Sequence, residues 1–452
     1  MERVKTALLF LLVIGSLVQS YLLVFGNPRF EPINRVGYVQ TEPQGEPLGL
    51  EDVVVPAEIV VHHGDGRHTV VSPSFPLSSM IYDSVWEFMR QRTFDGFRRN
   101  ALFVGPFERE TMRNARKGVE VRFPGGVPPA VLSQLLRLKG DVPPDGAPVG
   151  RIWIYESDAA GDVRVLFWGE DGFPLYEAVR ADVSRDDLER FSAMAAAETT
   201  YRFLTGDFYI PDVSLTVSVW RAPYRKYTAE QLQKNLFIDL QNTRHIAEPN
   251  GSEIYTDGTR VIQMRPDRDW FAYSDPMPDS DRPNDVMENL RAVLGFGNQH
   301  GLWNGGYVVK TFGLSNAPGR QSLTFGLIFQ RLAVVPETAE SFGRIQAVVQ
   351  NGIVTRFERS VLYVSENEAR PDAGGLAVEL PGGDELAAFL DRLPERGEIR
   401  AVYPAFRPAA DEREVRFIPV WAVELQNGGV RLLDGRPREG ASGWTGGAPK
   451  PY

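Results

Sequence analysis

The chain opens on a run without polar alternation. From Ala7 to Phe25 nineteen residues, ALLFLLVIGSLVQSYLLVF, carry no charge. As a helix rising 1.5 Å per residue this run measures about 28 Å, close to the ~30 Å hydrocarbon core of a bilayer. Arg3 and Lys5 precede it, and Asn27, Pro28 and Arg29 end it. Basic flanks stay on the cytoplasmic side, so the pattern predicts a single-pass cell-membrane anchor with Met1 in the cytoplasm and the bulk of the chain outside. A cleaved signal peptide competes with this, since Val18 and Ser20 tolerate cleavage after Ser20. The anchor is favoured because the run exceeds the roughly 7–15-residue core of such peptides, and cleavage would leave YLLVF at the new terminus.

One face of the predicted helix is small and polar. Gly15, Ser16, Gln19 and Ser20 fall within about 140° of one another at 100° per residue, flanked by Leu12 and Leu23. Small residues let helices approach closely, and an amide in lipid can hydrogen-bond across the contact. This face is the expected partner-contact surface inside the membrane. A chance occurrence of Ser and Gln in a single-pass anchor is the bland alternative.

Residues 27–57 are rich in Pro, Gly and Glu and read as a juxtamembrane spacer. Beyond them the period changes. EIVVHHGDGRHTVV places two β-rich runs around Asp65-Gly66, a hairpin signal. Met80–Met89 has helical spacing at Ile81, Val85, Trp86, Phe88 and Met89. VEVRFP (119–124), VLSQLLRL (131–138), RIWIY (151–155) and VRVLFW (163–168) read as strand, helix, strand and strand. A helix over 184–198 follows, with Ser184 as N-cap and Asp187 as its acidic partner.

Downstream, strands near 253–264 and 269–274, a helix near 284–297 and strands near 306–313 and 322–334 are followed by a second set. That set has strands near 344–350 and 353–365, a helix near 384–393, and strands near 400–406 and 414–425. Each set is ββαββ, which suggests two related units. The expected architecture is α+β: one transmembrane helix, then three extracytoplasmic α+β domains, the last two related. The predicted boundaries are 1–26 for the cytoplasmic tip and anchor, 27–57 for the spacer, 58–205, 206–336 and 337–435 for the domains, and 436–452 for a disordered tail.

Composition narrows the function classes. The 452 residues have a formal net charge of −10, a poor match to nucleic acid. The absence of cysteine removes disulfides, thiol nucleophiles, cysteine-ligated metals and lipidation at Cys. There are five histidines, His62, His63, His68, His245 and His300. His62 and His68 flank the predicted hairpin and can face each other, but a metal would need a third ligand. Polar turn residues are the preferred account. The glycines of 295–301 resemble a nucleotide fingerprint only loosely, and they end a helix instead of opening one. No motif of a serine hydrolase, β-lactamase or P-loop enzyme occurs, so no catalytic site, cofactor or metal is expected.

Two further features bear on function. Arg90, Arg92, Arg98, Arg99, Arg113 and Arg116 form a basic stretch suited to anionic headgroups or an anionic wall polymer. Interleaved Asp95, Glu108 and Glu110 favour an ion-paired solvated face instead. Trp153, Trp168, Trp220 and Trp421 lie in predicted strands and read as core.

The anchor followed by PAEIVVHH, then EIYTDGTRVIQM (253–264), FGNQHGLWNGGYVV (296–309) and VTRFERSVLYV (354–364), resembles the YycH family of Gram-positive bacteria from the anchor to about residue 435. The resemblance implies a regulatory, non-enzymatic protein with one membrane helix and three extracytoplasmic domains. It implies as partners a YycI-like membrane protein and the WalK sensor kinase, contacted largely through transmembrane helices, with WalK–WalR signalling in cell-wall homeostasis as the output. A cell-wall-binding or wall-modifying ectodomain is the alternative. No extracellular ligand is implied.

Overall fold

A computed structural model describes residues 2–25 and 45–437, apart from short segments at 74–75, 100–105, 141–145, 158–161, 170–173, 205–206, 238–239, 279–283, 315–318, 339 and 373–374. Residues 438–452 of the expected C-terminal tail and most of the expected spacer lie outside the described residues, whereas Arg436 and Pro437, expected to be disordered, pair with strand Ala377–Leu380. The fold is α+β.

The N-terminal helix, Glu2–Phe25, covers the whole apolar run. Its described side chains from 8 to 21 are exposed, with Leu8 and Leu11 more than 60% exposed. Among the described residues no helix is long and apolar enough to cross a membrane, and in this helix described side chains run unbroken only over 8–21.

The next unit is a ten-stranded sheet. Its order is 208–211, 201–204, 68–71, 58–63, 117–127, 149–156, 163–169, 174–181, 93–99 and 137–139. Pairing is antiparallel except between the last two strands. The central strands are buried in continuous runs, because successive side chains point to opposite faces and both faces are covered. Val119, Val121 and Phe123 join Ile152, Ile154, Val165 and Phe167 on one face, in the main core. There they pack with Val85 and Phe88 of helix Pro76–Gln91 and Leu188 and Phe191 of helix Arg185–Ala195. The latter helix starts as expected: Ser184 Oγ accepts from the Asp187 N–H, and the Asp187 carboxylate accepts from the Ser184 N–H. The opposite face presents Glu120, Arg122, Trp153, Tyr155 and Trp168, with Met112 of helix Pro106–Ala115 packed against it.

The remainder is dominated by one large sheet. Strand Trp270–Ser274 pairs with Ile353–Ser360, which pairs with Arg344–Gln350, which pairs with Arg320–Phe329. The hairpin 344–360, turned by Asn351 and Gly352 with positive φ, therefore lies inside the sheet whose edge is strand Arg244–Ala247. Helix Val286–Gln299 packs across all three of these inner strands. Sheet pairing thus runs straight through position 336, where the sequence suggested a boundary.

Three predicted strands are pairs. The run 253–264 turns at Asp257–Arg260, 322–334 turns at Gln330–Arg331, and 353–365 breaks at Val361. The long hairpin Ile399–Ala410 with Glu414–Leu425 joins the large sheet through the parallel strand Leu332–Val334.

Candidate functional site

The polar face of strand Lys117–Val127 carries the densest chemistry among the described residues. Arg122 lies directly opposite Arg151 across the sheet, an arrangement that repels unless countered. Two carboxylates counter it. Glu120, fully buried, lies 3.2 Å from Arg113, 3.2 Å from Arg122 and 3.1 Å from Arg151. Asp207, near the turn of hairpin 201–211, lies 2.6 Å from both Arg113 and Arg151, 3.6 Å from Arg109 and 3.8 Å from Arg122. Glu58 completes the group, 3.3 Å from Arg122. Four guanidinium groups therefore meet three carboxylates.

Aromatic rings wall this cluster. Arg113 lies over Trp153 and Phe203, Arg122 over Tyr209, and Arg109 over Trp168. Burial opposes charge on Asp207, but Arg113, Arg151 and Arg122 more than offset it and bring the carboxyl to about 2. Burial likewise opposes charge on Glu120, and Arg113, Arg122 and Arg151 hold it well below the usual carboxylate range. Glu58 behaves differently: burial raises it more than Arg122 lowers it.

The two hairpin histidines join the same cluster. His62 and His68 are paired across the hairpin, with their Nδ1 atoms 3.0 Å apart. His68 Nε2 is 3.0 Å from Asn114 Oδ1, and His62 Nε2 is 3.5 Å from Glu120. Asn114 Oδ1 requires a proton on His68 Nε2, so a neutral His68 accepts at Nδ1 from His62. A neutral His62 then turns a bare Nε2 toward Glu120. Burial lowers both imidazoles, His68 to about 3 with help from His62. The pair is thus a buried structural contact and not a pair of turn residues in solvent. Among the described residues no group of three His, Asp or Glu can hold a metal.

The expected basic stretch is dispersed. Arg90 pairs with Glu51 and Glu87, and Arg92 with Asp182. Arg98 and Arg99 lie on the exposed end of their strand, opposite Glu177 and Tyr176. Arg116 donates to the Glu156 carbonyl. Arg113 corrects the surface expectation outright: it is 2% exposed, because the alternation of strand 117–127 puts its partners inside. His245 stacks on Tyr255, and His300 contacts the Asn235 carbonyl. The glycines of 295–301 do end a helix: Gly301 has φ +62, and the Leu302 N–H reaches the Gly297 carbonyl. In the anchor, the backbone of Leu12, Gly15, Ser16, Gln19, Ser20 and Leu23 is helical, and nothing lies within 4 Å of a Cβ placed on Gly15.

A second site was not foreseen. Residues 45–54, assigned to the spacer, form a strap docked on the C-terminal half. The Leu48 N–H donates to Asn298 Oδ1 at 2.9 Å, and Asn298 Nδ2 donates to the Leu48 carbonyl at 3.0 Å. Gly45, at φ +124, sits so near the Trp303 carbonyl that a Cβ would lie 1.7 Å from its oxygen. Val53 and Val54 then enter the common core. The loop that receives the strap is held from beneath by Arg359, 1% exposed, which donates to the Leu302 carbonyl, Asn304 Oδ1 and the Ser360 carbonyl. Only the Asn298 and Trp303 side of this contact falls in a segment the sequence had singled out.

Comparison with known proteins places this architecture. The family description "YycH protein, N-terminal domain" matches residues 2–192, and "YycH protein, C-terminal domain" matches 205–432. The fold is similar to the crystal structure of YycH from Bacillus subtilis, with TM-score 0.67 at 15% identity, over 87% of this chain and 99% of that one. An uncharacterized protein from Eubacterium rectale matches at TM-score 0.32 and 11% identity, over 53% of this chain and 90% of that one. The YpeB C-terminal domain of Bacillus megaterium matches at TM-score 0.24 and 9% identity, over 46% of this chain and 99% of that one. No curated protein matches the chain. With its two halves matched in order by the two domains of one family, the chain belongs to the YycH family.

Proposed function

We propose that this chain is a membrane-anchored accessory regulator of a WalK-type sensor histidine kinase, acting with a YycI-like partner and non-enzymatically on cell-wall homeostasis. Membership in the YycH family carries the reading. Helix Glu2–Phe25 supports it, because its described apolar side chains lie exposed while the rest of the chain builds its own core. In this reading the helix is the single membrane span, its N-terminus is cytoplasmic and residues 27 onward are extracytoplasmic.

The physical step is differential binding. A kinase with two conformations shifts only when a partner prefers one of them. Close packing on the face of Gly15, Ser16, Gln19 and Ser20 supplies such a preference, with a coupling of about 1–3 kcal/mol. The described tryptophans are buried or half-buried, so they offer no aromatic row to a wall glycan.

The test exploits the absence of cysteine, which makes any introduced thiol unique. Single cysteines placed along 12–23 should crosslink to kinase and YycI-like helices with a helical period, strongest at positions 15, 16, 19 and 20. Replacing Ser16, Gln19 and Ser20 together by Leu should abolish co-purification of these partners. Crosslinking without periodicity, or undiminished co-purification, removes the assigned face.

A further inference from the structure

The cluster around Asp207 has more donors than it can use. Arg113 Nε, Arg122 Nε, Trp153 Nε1, Trp168 Nε1 and the Tyr209 hydroxyl are all buried without a hydrogen-bond partner. Each of these side chains is at least nine-tenths buried. Burying a donor without an acceptor is destabilising, so this surplus among the arginines and the rings that wall them requires an explanation. The acceptors left without a hydrogen bond here are fewer, Glu120 Oε2, which is ion-paired with Arg113 at 3.2 Å, and the bare Nε2 of His62 that faces it.

Asp207 itself is presented unusually. It is a non-glycine residue at φ +70, close to the turn of the hairpin 201–211. Its carboxylate is 24% exposed, like that of Glu58 at 23%, whereas Arg113 and Glu120 behind it are at 3% and 0%. Arg113 grips one carboxylate oxygen and Arg151 the other, while Arg109 and Arg122 stand further back. This is how an enclosed site holds an anion, with convergent guanidinium groups from separate elements. Here the anion is a side chain of the same polypeptide.

We infer that Arg109, Arg113, Arg122 and Arg151 form a binding site for a small phosphate-type oxyanion, and that Asp207 occupies it as an internal plug. A carboxylate has two oxygens, and both are taken by Arg113 and Arg151. A tetrahedral oxyanion has further acceptors to offer the donors left over. Removing Asp207 also leaves four guanidinium groups facing two carboxylates instead of three. The inference stands apart from the kinase reading, because it concerns the N-terminal sheet and needs no partner protein.

The experiment uses the full-length chain in detergent and two variants. Asp207→Gly removes the plug at a backbone conformation glycine prefers, and Asp207→Asn keeps the shape without the charge. Thermal melts are compared in inorganic phosphate, in chloride of equal ionic strength, and in mixed micelles of the same detergent with an anionic phospholipid. Phosphate should stabilise Asp207→Gly well beyond chloride. At about one hundred times its dissociation constant, the folding equilibrium should shift about a hundredfold. Adding Arg151→Gln to Asp207→Gly should abolish the effect. In the native chain phosphate should speed amide exchange over 201–204 and 208–211 as the plug is displaced. Stabilisation by the phospholipid micelles but not by phosphate would assign the site to a lipid headgroup and overturn the free-oxyanion assignment. Equal responses to phosphate and chloride in Asp207→Gly would leave Asp207 a structural counter-ion only. So would failure of both variants to fold in either salt. Either outcome overturns the proposal.

Discussion

Asn298 closes on the backbone of Leu48 from both sides, its amide accepting the Leu48 N–H and donating to the Leu48 carbonyl across 250 residues of sequence. A side-chain amide that satisfies both backbone groups of one residue mimics a strand partner. Asn298→Ala should therefore loosen the strap locally. Faster amide exchange at Leu48 and a loss of about 1–2 kcal/mol in urea unfolding are expected for two partly exposed hydrogen bonds. Unchanged exchange at Leu48 would show that the clamp contributes nothing.

Glu120→Gln is the sharpest test of the ion cluster. It preserves shape and removes the charge that Arg113, Arg122 and Arg151 share. Breaking a buried pair from one side leaves the other side uncompensated, at a cost of about 3–5 kcal/mol. Chemical denaturation measures it. A loss below about 1 kcal/mol would mean that the cluster is solvated in practice.

Acid should destabilise the N-terminal sheet early. His62 and His68 have folded-state values below the ordinary 6.5, His68 at about 3. The unfolded chain then binds more protons, so stability falls as pH drops from 6.5 toward 3, by up to about 1.4 kcal/mol per unit for each group. Glu120 and Asp207, both lowered, add stability above about pH 4 that is lost as pH falls through their folded values. Glu58, raised, works the other way: its contribution is complete below 4.5 and lost as pH rises through its folded value. His68→Gln should flatten the slope of stability between pH 6.5 and 4, read from urea titrations at a series of pH values. An unchanged slope would place the titrating groups elsewhere.

Two glycines in helix Val286–Gln299 should respond oppositely. A Cβ on Gly295 meets nothing within 4 Å, so Gly295→Ala should gain close to the usual helical increment of about 1 kcal/mol. A Cβ on Gly297 would lie 2.3 Å from Trp303 Nε1, so Gly297→Ala should lose about 1–3 kcal/mol through overpacking. Paired thermal melts decide the matter, and equal shifts would refute the packing argument.

Local signals in the sequence carried the local structure. The Asp65-Gly66 hairpin and the Ser184–Asp187 capping box depend on neighbours in the chain, and both are present. Turns hidden inside apolar runs were missed for identifiable reasons. Gln330 and Arg331 both take positive φ, which neither residue type advertises, so 322–334 read as one strand. Asp257-Gly258 did carry a turn signal, but the flanking β-rich residues outweighed it. The ion cluster was legible only in part. Glu120 and Arg122 alternate with Val119, Val121 and Phe123, which marks a second face, but neither covering group, Arg113 nor Asp207, is specified by spacing. The strap was illegible because its partner sits 250 positions away.

That separation has a consequence for how the molecule is made. Leu48 leaves the ribosome long before Asn298 and Trp303 exist, so the seat for the strap is absent while the N-terminal half is synthesised. Protection of the Leu48 amide is then a marker of completion: it can arise only once the helix ending at Gln299 has formed and the Trp303 loop has closed over Arg359. Chains that stop short of residue 298 would leave this segment without its seat and its backbone groups open to water.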